Sequence, residues 1–221
     1  MMKSNHLKRF EDRMEAGREL AKKLTNYRAK PGVVVLAIPK GGVPVGVEIA
    51  EELERPFDVL LIGKITAPGC GDTSLGAITS GGVRMLNCAM IDRLHLNEED
   101  IRDAVFKECQ HIAHRERLYR GEHPSVEVAD RTVILVDDGS TPCVMVRNAI
   151  RLLRRQHADR VVVALPALCR NSACDLRFET EEVVTLAEPA SPAPAGRWFR
   201  HFPPTSDHEV RCLLERQFAH A

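Results

Sequence analysis

The 221-residue chain carries 31 basic and 31 acidic side chains and is 44% apolar and 28% charged, a composition that suits a globular protein with enough apolar surface for a full core. A formal net charge of zero gives no global field that would draw the chain to nucleic acid or to an anionic membrane, so any anion binding must be local. No stretch approaches the roughly eighteen apolar residues of a spanning helix, residues 1–9 hold no apolar core of signal-peptide length, and the expectation is a cytoplasmic protein.

In chain order, Phe10, Met14, Gly17, Ala21 and Leu24 keep helical spacing and predict an opening amphipathic helix. The apolar run 33–38 reads as the first core strand. After the turn Pro39-Lys40-Gly41-Gly42, the residues Val43, Val47, Ala50 and Leu53 mark a second helix, and 57–62 reads as the next strand, ending at Gly63-Lys64; this is a βαβ unit. From 66 to 86 the pattern breaks into Pro-Gly-rich turns with a hairpin around Ser80-Gly81-Gly82, followed by a highly charged helix over about 97–119, an insertion expected to cover one edge of the sheet. Alternation resumes with a strand over 132–136, a helix bearing Val146, Ile150 and Leu153 on one side and Arg147, Arg151, Arg154 and Arg155 on the other, a strand over 161–165, a short helix near 171–178 and a strand over 183–186. The fold class expected is therefore α/β: about five mostly parallel strands with helices on both faces, in a single domain over 1–221. A Pro-Ala-rich connector over 188–196 and a closing helix over 211–218 make up the carboxyl-terminal part.

Three turns carry chemical potential. Lys40-Gly41-Gly42 offers a cation and two glycines that let a backbone approach an anion at a helix start; the plainer reading is a tight connection whose lysine points into water. Neither G-x-G-x-x-G nor G-x-x-x-x-G-K-[ST] occurs, which excludes the dinucleotide fingerprint and the P-loop. Lys64 ends the second strand and would share a rim with Lys40 if the strands run parallel. Asp137-Asp138-Gly139-Ser140-Thr141-Pro142 follows a run without polar breaks, as a strand buried on both faces requires. Two adjacent carboxylates repel unless a cation, helix amides or a hydroxyl-rich ligand offset them, and they suit the neighbouring hydroxyls of a sugar. The plainer reading has one aspartate and Thr141 capping a helix with Pro142 at its first position. Seven cysteines without a C-x-x-C pair suggest neither a disulfide framework nor a zinc site. Cys109, His111 and His114 spread around a helix rather than converging on a metal.

The two acids with their glycine, the basic-Gly-Gly turn and the lysine after the second strand, together with Leu75-Gly76-Ala77-Ile78, Ser80-Gly81-Gly82-Val83-Arg84 and Glu116-Arg117-Leu118-Tyr119-Arg120-Gly121, resemble a type I phosphoribosyltransferase. The group most similar is the predicted purine-salvage-type enzymes of bacteria, and the likeness runs from Phe10 through the strand at Val183. It implies a parallel sheet with a hood over 66–121, binding of 5-phosphoribosyl diphosphate with magnesium, transfer of ribosyl phosphate to a nitrogenous base with release of diphosphate, and a homodimer. Carried onto this chain, Asp137 and Asp138 would be the catalytic acids that hold the ribose hydroxyls, with magnesium reached through ligand and water rather than bound directly. Gly139, Ser140, Thr141, Pro142, Cys143, Val144 and Met145 would cradle the 5-phosphate, and Lys40, Gly41, Gly42 and Lys64 would meet the diphosphate.

One departure stands out. The family continues its acidic pair with Gly, two residues and Thr-Gly-x-Thr, whereas this chain has Pro142-Cys143-Val144-Met145. Proline has no N–H, cysteine resists positive φ where glycine belongs, and valine and methionine replace no hydroxyl donor. Thr141 could stand as the first threonine in a loop one residue shorter. Two classes stay open: an active transferase with a modified phosphate loop, and a non-catalytic relative that binds a nucleotide or phosphoribosyl diphosphate as a regulatory or interaction domain. A phospho-acceptor receiver domain fits less well, because its acidic pair follows the first strand and this one follows the third core strand. The aromatic residues Trp198, Phe199 and Phe202 are taken to anchor the tail to the core.

Overall fold

The computed structural model describes residues 9–219; most of the stretch 1–9, read above for a signal peptide, lies outside them. The chain forms α1 (Arg13–Lys23), β1 (Val33–Ala37), α2 (Gly42–Leu53), β2 (Phe57–Val59), β3 (Ile62–Thr66), β4 (Ser74–Thr79), β5 (Arg84–Leu86), α3 (Cys88–Arg93), α4 (Glu98–Arg120), β6 (Thr132–Val136), α5 (Cys143–Arg155), β7 (Arg160–Ala167), α6 (Arg170–Arg177), β8 (Glu182–Ala187) and α7 (Asp207–Phe218). Among the described residues, no helix is long and apolar enough to cross a membrane.

Five strands make one parallel sheet in the order β2-β1-β6-β7-β8. The expected α/β architecture is therefore present, with every strand of this sheet parallel. Successive residues of β1, β6 and β7 point to opposite faces, as a pleated strand demands. Val35, Ala37, Ile134, Val136, Val162 and Ala164 pack with α1, α2 and α7. Val34, Leu36, Val133, Leu135, Val161 and Val163 pack with α5 and Leu176 of α6. Both faces are covered, which is why these strands read as unbroken apolar runs.

The chain winds from β1 to β2 in one direction and from β6 through β7 to β8 in the other, so the order reverses between β1 and β6. Ligands of open parallel sheets bind in the crevice at the carboxyl ends of the strands flanking such a reversal. Here the turns that leave those ends are 38–42 and 137–142.

One strand differs from the sequence expectation. The run 57–62 is two elements: β2 stops at Val59, the Leu60 amide still bonds Ala37 O at 2.9 Å, and the chain then turns into β3 of a separate antiparallel sheet, β3-β4-β5. Leu60, Leu61 and Ile62 are all buried, so the apolar pattern runs through the break and hides it. The hairpin expected at 80–82 joins β4 to β5, with Gly82 at φ +73°. It is tied to the carboxyl-terminal end of α5 by Gln156 Nε2 to Thr79 Oγ1 and Arg155 Nη1 to Arg84 O. This is the opposite end of α5 from the acidic turn. The charged helix is α4, opened by a capping box between Asn97 and Asp100 and closed by Arg120, which reaches Asp58 on the edge strand β2. Helix α7 begins one turn before the expected 211, because Ser206 accepts the Glu209 amide at 3.1 Å as its N-cap.

Candidate functional site

The turn after β6 is built around Asp137. Its Oδ2 accepts the amides of Gly139 at 2.8 Å and Thr141 at 3.2 Å, and its Oδ1 accepts the Thr141 hydroxyl at 2.6 Å. Asp138 Oδ1 accepts the Ser140 amide at 2.9 Å. Gly139 sits at φ +87°, a conformation that costs glycine little and lets the turn double back on its own acid. Three amides expected to face a phosphate are therefore occupied by carboxylate. Met145 and Val146 donate to Pro142 O at 2.8 and 3.3 Å, which leaves Cys143 and Val144 as the α5 amides a helix start cannot satisfy internally. Pro142 is the N-cap residue rather than the first helical one, with no side-chain cap bond, so neither an aspartate nor Thr141 caps α5 as the plainer reading had it.

Both acids are buried, each 1% exposed. Asp138 Oδ2 is held by Arg13 Nε of α1 at 2.8 Å. Arg13 in turn donates from Nη1 to Pro203 O at 2.7 Å and lies over the Phe202 ring, 3.8 Å from its centroid, an arrangement suited to a guanidinium face. Among the described residues, Asp137 has no cation of its own. Burial first, and then the charge of Asp138 beside it, push its carboxyl up to about 6 against the opposing pull of the Thr141 and Gly139 bonds.

The diphosphate-type turn comes up against this acid pair. A Cβ at Gly41 would lie 2.0 Å from Asp138 Oδ2, and one at Gly42 would lie 2.9 Å from Val136 O. Only glycine permits the two turns to touch. The peptide between Pro39 and Lys40 is cis. The Lys40 amine does not stand free: it pairs with Asp207 at the start of α7 at 2.9 Å, and the other oxygen of Asp207 accepts the Tyr119 hydroxyl. That hydroxyl is pushed up by burial and by the Asp207 bond, while bonds from Tyr119 and Lys40 hold Asp207 below the usual carboxylate range.

Lys64 is not where the strand reading put it. It lies within β3 of the smaller sheet rather than at the end of a core strand, its amine turns to Asp72, and it lines a hollow of about 500 Å³ with Thr66, Asp103, Lys107 and His111. A narrower cleft of about 140 Å³ adjoins the acidic turn, lined by Gly139, Thr141, Cys143, Ala167, Cys169 and Trp198.

The structure thus brings together Lys40, Gly41, Gly42, Asp137, Asp138 and the turn 139–143, and it adds Arg13, Phe202, Tyr119 and Asp207, which the sequence reading left out. Arg13 lies 125 positions from Asp138 and Asp207 lies 167 from Lys40, and no local spacing signals pairs so distant.

Residues 5–188 match the phosphoribosyl transferase domain family. A protein of Mycobacterium tuberculosis (strain ATCC 25618 / H37Rv), provisionally named phosphoribosyl transferase Rv0571c, is 35% identical over 210 residues, a stretch covering 95% of this chain and 47% of that protein. The counterpart MT0597 of strain CDC 1551 / Oshkosh, under the same provisional name, matches equally. This chain spans about half the length of these curated relatives. The crystal structure of TT1426 from Thermus thermophilus is similar with a TM-score of 0.82 at 30% identity, covering 95% of this chain and 99% of that one.

Proposed function

The chain belongs to the phosphoribosyl transferase domain family, and from that premise we propose that it binds 5-phosphoribosyl diphosphate with magnesium and transfers ribosyl phosphate to a nitrogenous base, releasing diphosphate. The observation that carries this reading is the contact, at the reversal of strand order, between the Lys40-Gly41-Gly42 turn and the Asp137-Asp138 turn, each opening a helix. Such a junction supplies what the reaction asks for. Departure of diphosphate builds positive charge at the anomeric carbon, so a fixed negative field beside the sugar and cations or amides at the leaving group lower the barrier without a covalent nucleophile. Asp138 and Asp137 supply the field and would orient the ribose hydroxyls; Lys40 and the backbone of Gly41 and Gly42 would receive the leaving group.

The donor set fits a hard divalent cation, since the acids at the junction are carboxylates. Both oxygens of Asp137 and Oδ1 of Asp138 accept hydrogen bonds from their own turn, which suits a magnesium ion that arrives on the ligand and touches the acids through water. When bound, it would neutralise charge on the departing diphosphate.

A second reading, a non-catalytic phosphoribosyl diphosphate or nucleotide-binding regulatory domain, is favoured by one specific feature. The phosphate loop carries Pro142 and Cys143, and its forward amides serve Asp137 and Asp138. Calorimetric titration with phosphoribosyl diphosphate, with and without magnesium, combined with a diphosphate-release assay over a set of bases, separates the two. Magnesium-dependent release that Asp138→Asn abolishes establishes the transferase; binding without release establishes the second reading; absence of both removes the proposal. The double change Pro142→Thr, Cys143→Gly restores an amide and a hydroxyl donor at 142 and glycine's conformational freedom at 143. At about 1.5–3 kcal/mol for each hydrogen bond to a charged group, two restored bonds are expected to tighten binding by roughly two or more orders of magnitude. If affinity does not rise, the loop is not the weak point.

A further inference from the structure

The three protein groups proposed to meet the ligand are each already matched by a protein group carrying the charge that the ligand's own part, or its counter-ion, would bring. Lys40 holds a carboxylate, Asp207; Asp138 holds a cation, Arg13; the amides of Gly139 and Thr141 hold the Asp137 carboxylate. The first two matches depend on one stretch of chain. Phe202 and Pro203 fix Arg13 against Asp138, and Asp207 a few residues on closes over Lys40. Between Phe199 and Ser206 this stretch is neither helix nor strand. It is fastened at its beginning by backbone bonds to the segment before α1: Phe10 N to Trp198 O at 2.8 Å, Arg200 N to Phe10 O at 2.8 Å and His201 N to Glu11 O at 2.9 Å.

We propose that residues 198–207 form an autoinhibitory strap, which keeps Arg13 on Asp138 and Asp207 on Lys40, so that phosphoribosyl diphosphate enters only as the strap lifts and both ion pairs exchange for the ligand. This rests on the function proposed above and adds its regulation. The two pairs differ in how firmly they hold. Lys40 and Asp207 have side chains 46% and 43% exposed, so water screens them and a multiply charged diphosphate competes well for the lysine. Arg13 is nearly buried and is kept in place by its stack on Phe202 as much as by charge, so it leaves when Phe202 leaves. The Lys40 pair therefore yields to the ligand first, while Tyr119 still holds the other oxygen of Asp207.

The test uses the full chain. Asp207→Asn keeps the shape of the side chain and an acceptor for Tyr119 but removes the charge on Lys40; Phe202→Leu leaves Asp207 alone and removes the face beneath Arg13. Each is titrated with phosphoribosyl diphosphate and magnesium, and amide hydrogen exchange is followed over 200–207. Asp207→Asn is expected to bind about two- to fivefold tighter than the parent, the range for an exposed pair, Phe202→Leu is expected to bind tighter as well, and ligand is expected to speed exchange over 200–206 in the parent. Equal or weaker binding by both variants, or exchange that stays unchanged at saturating ligand, overturns the strap while leaving the proposed function standing. If neither parent nor variants bind, the proposed function falls, and exchange in the absence of ligand decides the rest: faster exchange in both variants supports a cover held by these contacts, and unchanged exchange overturns it.

Discussion

Asp58 and Asp138 are both buried aspartates that meet an arginine from a distant helix, yet the two pairs are built differently. Asp58 receives Arg120 Nε on both oxygens at 2.9 and 3.0 Å, with the amides of Val59 and Val126 at 2.7 and 3.0 Å completing its shell. Arg120 spends its remaining donors on Glu116 and Val59 O. Every partner sits on β2, on α4 or in the segment leading to β6. Asp138 has one bond from Arg13 and one from the next turn, and Arg13 leans on a strap with no regular structure of its own. The side chains are 3% and 1% exposed in the first pair and 11% and 0% in the second. The first is a rivet between the inserted helix and the sheet edge; the second is a closed contact at the rim where ligands of this fold bind.

The largest expected effect comes from breaking the rivet. Arg120→Met leaves the Asp58 charge buried with amides alone, and removal of one member of a buried pair costs about 3–5 kcal/mol. With total stability in the range of about 5–15 kcal/mol, this is a large share, and the urea midpoint should fall accordingly. Adding Asp58→Leu to Arg120→Met should recover much of the loss, because an apolar pair needs no solvation. A double variant as unstable as the single one would show that the amides of Val59 and Val126, not the arginine, are what Asp58 serves.

Arg13→Met is expected to cost less, about 1–3 kcal/mol, because Asp138 keeps the Ser140 amide and the rim lets water in once the strap loosens. The contrast between the two pairs stands on this difference. If chemical denaturation shows Arg13→Met to be as damaging as Arg120→Met, the rim pair is a second rivet and the cover over Asp138 is fixed.

The same contrast marks what could be read from the residues. The alternation of apolar runs with helical spacing located the five core strands, because burial on both faces imposes a pattern that every residue of a strand must obey, but not their order, which reverses between β1 and β6. It also located the two turns at that reversal, since strand ends are local features. The break after Val59 was hidden, because Leu60, Leu61 and Ile62 are buried on either side of it, and Lys64 was misplaced as a result. Nothing local revealed that the site is shut. Whether Asp138 faces water depends on an arginine 125 positions away and a phenylalanine further on, and whether Lys40 is free depends on a helix start near the other end of the chain. Trp198, Phe199 and Phe202 do anchor the tail to Phe10 and α1. That the last of them also presses Arg13 onto an acid is tertiary information.

The smallest effect separates Asp137 from both arginine-paired acids. Asp58 and Asp138 each have a cation; among the described residues, Asp137 has only the turn's donors and a charged neighbour, and its carboxyl is pushed up to about 6. In the unfolded chain an aspartate releases its proton near pH 4, roughly. Between these values the folded chain holds a proton that the unfolded chain has lost, so this group's contribution falls as pH rises through the window and is least favourable above it. The slope it imposes is at most about 1.4 kcal/mol per pH unit. Glu188, held down by Arg177, and Asp207, held down by Tyr119 and Lys40, act with the opposite sign: their stabilisation is present above their unfolded values and lost as pH falls below the Asp137 window. Urea midpoints measured from pH 7 to pH 5 should therefore rise on acidification before the other carboxylates reverse the trend. Asp137→Asn should remove that rise while lowering stability at every pH, because an amide satisfies fewer of the donors from Gly139 and Thr141. A rise of equal size in Asp137→Asn would assign the titration to another group.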